Sequence, residues 1–438
     1  MRGLFAAWIG LGTAFSAAPA LGLDELNAAA AAGELREMCR EDAGQLWAID
    51  LCGPLMVVEP ETRRVWTTKE DSFGVLEQAG AGWSGTLPAG VPVANTTIEW
   101  AGERWIQVLA PLPEEAEDRR VLLAHEAWHR AQQALGLGAL PSDCAHLENE
   151  RARTLMRLEF RALGVALRSS GRGRRQAAQE ALMMRAARHA EFPGAAAQEA
   201  ALDRNEGLAA YTGVRLGVTD NPDLYAARVL HRYELHRALA RSYAYASGPA
   251  YGLLLDVYRP DWRRELGDAA PADLLAAALL LRPWSQAELY RAGERYGASA
   301  IAAEDRARAE ARQARFAELR LQYGGGPRVE LPLQDVQMEF DPNGVTPLEG
   351  LGTLYSTLTI RAAWGELRAE NGALISTDGR RVIVPLPGPG GLSGPGWQVS
   401  LAPRYVLVGP DVAGVFRPTE IPSEIPPEDA PAENTPPT

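Results

Sequence analysis

The stretch Val121-Leu122-Leu123-Ala124-His125-Glu126-Ala127-Trp128-His129-Arg130 carries two histidines four residues apart, with a glutamate directly after the first. On an α-helix, residues i and i+4 lie one above the other, so both imidazoles project from one face. Two nitrogens about one turn apart can ligate a single zinc ion. Glu126 is rotated by about 100° from His125, near enough to reach a water at the metal but too far round to be a ligand. The chemistry this spacing predicts is zinc-assisted hydrolysis, with His125 and His129 holding Zn2+ and Glu126 acting as general base.

A catalytic zinc takes three protein ligands. A metzincin would place Gly and His soon after His129, and Arg130 to Gly136 shows neither at the needed offset. The third ligand must therefore come from a later helix. The first candidate is Glu206, in Leu202-Asp203-Arg204-Asn205-Glu206-Gly207-Leu208-Ala209-Ala210-Tyr211. Asn-Glu-Gly-Leu-Ala followed by a tyrosine resembles the third-ligand helix of the gluzincins, the metallopeptidases that include thermolysin-like and alanyl-aminopeptidase-like enzymes. The resemblance implies a zincin-like core, peptide-bond hydrolysis and Glu206 as the ligand that completes the site. Glu148 competes, because it follows His129 after eighteen residues, the spacing of the alanyl-aminopeptidase branch, but Asn149 stands where that branch has glycine. His146 is a third choice. Gly207 is expected to let its helix approach the zinc helix closely.

Glu199 and Asp203 lie seven and three residues before Glu206 and share its face if the helix is regular. They read either as a solvated acidic face or as acids orienting a zinc histidine through its free ring N–H. Gluzincins often polarise the substrate carbonyl with a Tyr or His from a later helix. The chain offers His231, Tyr233, His236, Tyr243, Tyr245 and Tyr251, of which Tyr245 is the first choice as a catalytic residue.

The elements around these residues predict an α+β protein. Residues 21–113 read as a mixed lobe. It has a helix over Asp24 to Cys39 and short strands over Gln45 to Ile49, Leu55 to Val58, Arg64 to Thr67, Thr96 to Trp100 and Arg104 to Ala110. Residues 114–323 read as a helical zinc-site lobe, with Glu115 to Leu135 as the zinc helix and Ala195 to Leu216 carrying Glu206. Ser169 to Gly173 reads as a loop, and Gly248-Pro249 as a turn between two helices. Gly324-Gly325-Gly326 marks a boundary, 327–420 reads as a small β domain, and the acidic, proline-rich 421–438 reads as a disordered tail.

At 438 residues the chain is long enough for more than one core. Its formal net charge of −12 argues against a nucleic-acid partner, which needs a basic face. Arg2, an apolar run from Gly3 to Ala17 and Ala18-Pro19-Ala20 read as a signal peptide of residues 1–20. This predicts an exported bacterial protein, periplasmic or extracellular, with no stable membrane insertion after cleavage. Cys39, Cys52 and Cys144 allow one disulfide, Cys39 with Cys52 or either of them with Cys144. The partner expected is a peptide or protein substrate; the oligomeric state is not legible. A zinc amidohydrolase of another substrate class and an inactive zincin-like binding protein share these motifs.

Overall fold

The computed structural model describes residues 24–138, 142–236, 239–341, 344–348, 350–386 and 391–421. The expected leader and the tail beyond residue 421 lie outside them. The protein is mixed α+β, and the described residues divide into two units, 24–309 and 310–421.

The first unit begins with α1 (Glu25–Asp42), capped by Asp24, whose carboxylate accepts from the Leu26 and Asn27 amides. Six strands follow: β1 (Leu55–Val58), β2 (Arg64–Thr67), β3 (Glu77–Ala79), β4 (Gly82–Thr86), β5 (Thr96–Trp100) and β6 (Glu103–Leu109). They form one sheet in the order β3-β4-β2-β1-β6-β5, with β1 and β6 parallel and the other pairs antiparallel. Side chains alternate across the sheet, so Val57, Ile106 and Val108 join the core shared with the helices, while Met56, Val58, Ile98 and Trp105 fill a second core on the opposite face. Cys39 and Cys52 form a disulfide that ties the end of α1 to the chain entering β1, and Cys144 is a buried free thiol.

The helices are α2 (Ala116–Gln132), α3 (Glu150–Leu167), α4 (Gly171–Glu191), α5 (Ala195–Leu202), α6 (Leu208–Gly217), α7 (Pro222–Glu234), α8 (Leu239–Tyr258), α9 (Pro271–Ala278), α10 (Gln286–Arg295) and α11 (Ala298–Gly324). A 3-10 turn, Ala145–Glu148, precedes α3, and a π turn, Asp203–Gly207, joins α5 to α6. No helix among the described residues is long and apolar enough to cross a membrane.

Several local expectations are corrected. Gln45 to Ile49 is a turn, because Trp47 plugs into the helical core and donates its Nε1–H to Thr212. Helix α4 begins at Gly171, inside the expected loop. Gly248-Pro249 is no turn: Pro249 lies within α8, and Gly248 there packs against Gly207. Short strands β3 and β4, rich in glycine and polar residues, carry too few apolar side chains to announce themselves.

The second unit contains the last turns of α11, from Glu310, so Gly324–Gly326 marks the end of a helix that already packs with the strands beyond it. Its strands are β7 (Arg328–Pro332), β8 (Gln337–Phe340), β9 (Val345–Leu348), β10 (Gly352–Tyr355), β11 (Leu358–Ala362), β12 (Gly365–Ala369), β13 (Ala373–Ser376), β14 (Arg381–Pro385), β15 (Ser393–Gly394), β16 (Trp397–Leu401), β17 (Tyr405–Val408) and β18 (Val415–Glu420). Two sheets, β17-β18-β7-β14-β13-β10-β9 and β15-β16-β12-β11-β8, bury Val329, Leu331, Ile360, Leu367, Val384 and Trp397 in a common core.

Candidate metal centre

Helix α2 presents its apolar side, including Leu123, Ala127 and Trp128, to the core. That burial carries His125 and Glu126 inside with it, at 5% and 0% exposure. Helix α6 lies directly against α2. A Cβ on Gly213 would sit 2.6 Å from the Val121 carbonyl oxygen, and one on Gly217 would sit 2.6 Å from the Val121 nitrogen. The close approach expected of Gly207 is thus made by Gly213 and Gly217, while Gly207 faces Gly248 on α8.

The π turn sets the direction of Glu206. Its wider loop, closed by the Leu208 amide on the Asp203 carbonyl, breaks the regular spacing that would align Glu199, Asp203 and Glu206. Glu199 and Asp203 consequently turn toward α4, and Glu206 turns toward α2. The His125 Nε2 and His129 Nε2 atoms lie 3.1 Å apart, and each is 3.4 Å from Glu206 Oε2. A tetrahedral ion with zinc–ligand bonds of ~2.0–2.1 Å places neighbouring donor atoms ~3.3 Å apart, so these three atoms have the dimensions of one face of a zinc coordination shell. Glu206 is 8% exposed, with Oε2 facing both imidazoles, as a ligand atom should be.

The electrostatics agree with that donor set. Burial pushes His125 down to about 4, against the pull of Glu206. At His129 burial also disfavours the cation, but the Glu206 and Glu126 carboxylates outweigh it and raise the ring to about 9. Burial disfavours the charged form of Glu206 too, yet His129 and the bonds from both imidazoles hold it far below the usual carboxylate range. Two imidazoles and a carboxylate converging on one point are a donor set that fits a divalent cation.

Around the triad, His129 Nδ1 lies 3.0 Å from Gln132 Oε1, Gln132 Nε2 donates to Asn205 Oδ1 at 3.0 Å, and Asn205 Nδ2 donates to Glu206 Oε1 at 2.8 Å. The partner that orients His129 is therefore an amide, not the acid expected from Glu199 or Asp203. Those two belong to a buried ionic cluster. Glu199 accepts from Arg188 at 2.6 and 2.7 Å and contacts His146 at 2.8 Å and His189 at 2.9 Å. Asp203 accepts from Arg185 at 2.5 Å. Glu159 on α3 accepts from Arg188 and from the Tyr251 hydroxyl. This cluster clamps the segment leading into the π turn.

The Glu126 carboxylate is wholly buried, neither oxygen meets a protein donor, and burial pushes its carboxyl up to about 8. The Tyr245 ring stacks on His125, with centroids 5.5 Å apart and planes 9° from parallel. Burial and the nearby Glu206 and Glu126 carboxylates hold its hydroxyl well above the ordinary tyrosine range, so it stays a hydrogen-bond donor. Tyr233 stacks on Tyr245, and His236 on Tyr233. The other candidates are placed elsewhere. Tyr243 donates to the Glu199 carbonyl, Tyr251 to Glu159, and His231 is exposed on α7. His146 is engaged by Glu199. Glu148 sits in the 3-10 turn, in the field of Arg153, outside the group formed by His125, His129 and Glu206.

Sequence reasoning missed Gln132. Its only signal was a glutamine three residues after His129 on the same helix. Set against protein-family profiles, curated proteins and solved structures, the chain matches none.

Proposed function

We propose that this protein is an exported zinc-dependent peptidase of the gluzincin type, built on a zincin-like core. The observation that carries the reading is the triangle of His125 Nε2, His129 Nε2 and Glu206 Oε2, with sides of 3.1, 3.4 and 3.4 Å, beside the buried carboxylate of Glu126. Zinc, when bound, supplies Lewis-acid polarisation and acidifies water. Glu126 takes a proton from the attacking water onto a carboxylate oxygen as the carbon–oxygen bond forms. It then delivers that proton to the leaving nitrogen as the carbon–nitrogen bond breaks. The Tyr245 hydroxyl donates to the carbonyl oxygen as negative charge develops there. The edge strand β5, packed beside α2, offers open backbone groups along which an extended peptide would lie. The Cys39–Cys52 disulfide supports an oxidising compartment.

The test is metal analysis of the purified protein beside Glu206→Ala and Glu148→Ala, together with hydrolysis of unstructured polypeptide by wild type and Glu126→Ala. Stoichiometric zinc is expected in wild type and Glu148→Ala but not in Glu206→Ala. Glu126→Ala is expected to keep zinc and lose hydrolysis. Wild type without zinc sinks the metal reading. Zinc without cleavage of any peptide points to another amide substrate or to a binding protein.

A further inference from the structure

The ring of hydrogen bonds linking His129, Gln132, Asn205 and Glu206 has a direction, and one member sets it. An ionised carboxylate only accepts hydrogen bonds. Glu206 Oε1 therefore requires the NH2 end of Asn205, which lies 2.8 Å away. Asn205 must then present its carbonyl oxygen to Gln132, and Gln132 must answer with its own NH2, at 3.0 Å. The Gln132 carbonyl oxygen is left facing His129 Nδ1 at 3.0 Å, and a carbonyl can only accept. A metal-bound imidazole is neutral, so in that state His129 Nδ1 must carry the hydrogen and the Nε2 lone pair points to the side where His125 Nε2 and Glu206 Oε2 converge. Reversing Asn205 would set its oxygen against the Glu206 carboxylate and its NH2 against that of Gln132, and reversing Gln132 would set two carbonyl oxygens face to face.

We infer that Gln132 and Asn205 are positioning residues through which Glu206 fixes the tautomer and ring orientation of His129, so that one metal ligand prepares another. The inference rests on the metal reading given above. It adds that Glu206 acts with both oxygens, Oε2 toward the cation and Oε1 as the origin of the relay. Gln132 is 7% exposed, and the relay joins α2 to the π turn across 73 residues of sequence, so the two ligand-bearing segments are held in register by neutral groups that carry no charge of their own. Neutral amides cannot pass a proton along the chain at neutral pH, which keeps the His129 ring from tautomerising through this path.

The experiment uses the full chain and zinc itself as the probe. Zinc affinity is measured by competition with a chromophoric chelator for wild type and Gln132→Met, which keeps the side chain's length and removes both hydrogen bonds. Loss of a partner that orients a metal-ligating histidine typically weakens binding by about 10- to 100-fold, and that loss is expected here with little change in the thermal midpoint of the metal-free protein. A second measurement needs no variant to fold. In the zinc-loaded wild type, nitrogen–proton correlation spectra of the histidine rings should show His129 protonated at Nδ1, with that proton protected from exchange. Wild-type affinity in Gln132→Met, or a His129 ring metallated at Nδ1, overturns the relay while leaving the metal site standing. Wild type that binds no zinc removes the metal reading and the relay together.

Discussion

Gly213 on α6 lies against the backbone of Val121 on α2, four residues before His125, so closely that a methyl group would fall 2.6 Å from the Val121 carbonyl oxygen. The contact joins the helix bearing two ligands to the helix that follows the third. Gly213→Ala would gain up to ~1 kcal/mol of helix propensity. Overpacking two backbones costs ~1–3 kcal/mol, so the net expectation is destabilisation together with weaker zinc binding. Urea unfolding and chelator competition on the same preparation would check it, and unchanged values in both would show that α2 and α6 separate freely.

The role proposed for Tyr245 can be tested apart from metal binding. Tyr245→Phe keeps the ring stacked on His125 and removes only the hydroxyl. Zinc content should stay stoichiometric, while kcat for peptide hydrolysis drops about 10²- to 10³-fold, the usual effect of losing an oxyanion donor. If steady-state kinetics show kcat unchanged, the hydroxyl has no part in the reaction.

The ionic cluster beside the π turn should make the fold acid-sensitive. Burial alone would raise the Glu199 carboxyl, but Arg188 and Arg185 hold it well below its ordinary 4.5. A carboxyl depressed in the folded state resists protonation that the unfolded chain accepts. Its contribution to stability is therefore full above about pH 4.5 and is lost as pH falls toward the folded value. Glu199→Gln should cost ~3–5 kcal/mol near neutrality, since two buried arginines each lose one of their counter-charges. The gap between variant and wild type should narrow as pH falls. Unfolding free energies measured from pH 7 to pH 3 would decide it, and a constant gap would contradict the assignment.

The Cys39–Cys52 bridge spans a sequence separation of 13, and a loop of this size contributes ~3 kcal/mol in the chain-entropy account. The Cys52 carbonyl also accepts from Arg130 Nη1 at 2.6 Å, so the bridge is one contact away from the zinc helix. Reductant should lower the thermal midpoint of wild type and leave a Cys39→Ser/Cys52→Ser variant unmoved. Buried Cys144 should resist alkylation in the folded state under both conditions.

What could be read in advance divides along physical lines. The pairing of His125 with His129 on α2 was legible because its information is local: they share a face by periodicity alone, and flanking leucines bury the helix. Glu206 was legible through its neighbours Asn205 and Gly207, although Gly207 turned out to serve α8. The spacing of Glu148 was a weaker signal, because helix-to-helix distance along the chain does not fix distance in space. Gln132 was illegible, since its role depends on an amide 73 residues away and on the polarity of a carboxylate beyond that. Tyr243, Tyr245 and Tyr251 look alike in sequence, and only their different faces on α8 send one to the metal site and two into the ionic cluster. Strands β1, β2 and β5 announced themselves as short runs of β-forming residues between turn residues, whereas β4 is held by its pairing with β2, and β3 by its pairing with β4, more than by apolar side chains.

The π turn at Asp203–Gly207 means that this centre is written in a count as well as in residue types. Each residue of an ordinary helix turns the next side chain by about 100°, so deleting one residue from the turn would let the helix heal and swing Glu206 out of reach of the imidazoles. His125, His129 and Glu206 would all still be in the chain, their motifs intact to any pattern search. Such a protein would keep its side chains and lose their convergence, a failure of arithmetic in the length of the path that leads to Glu206.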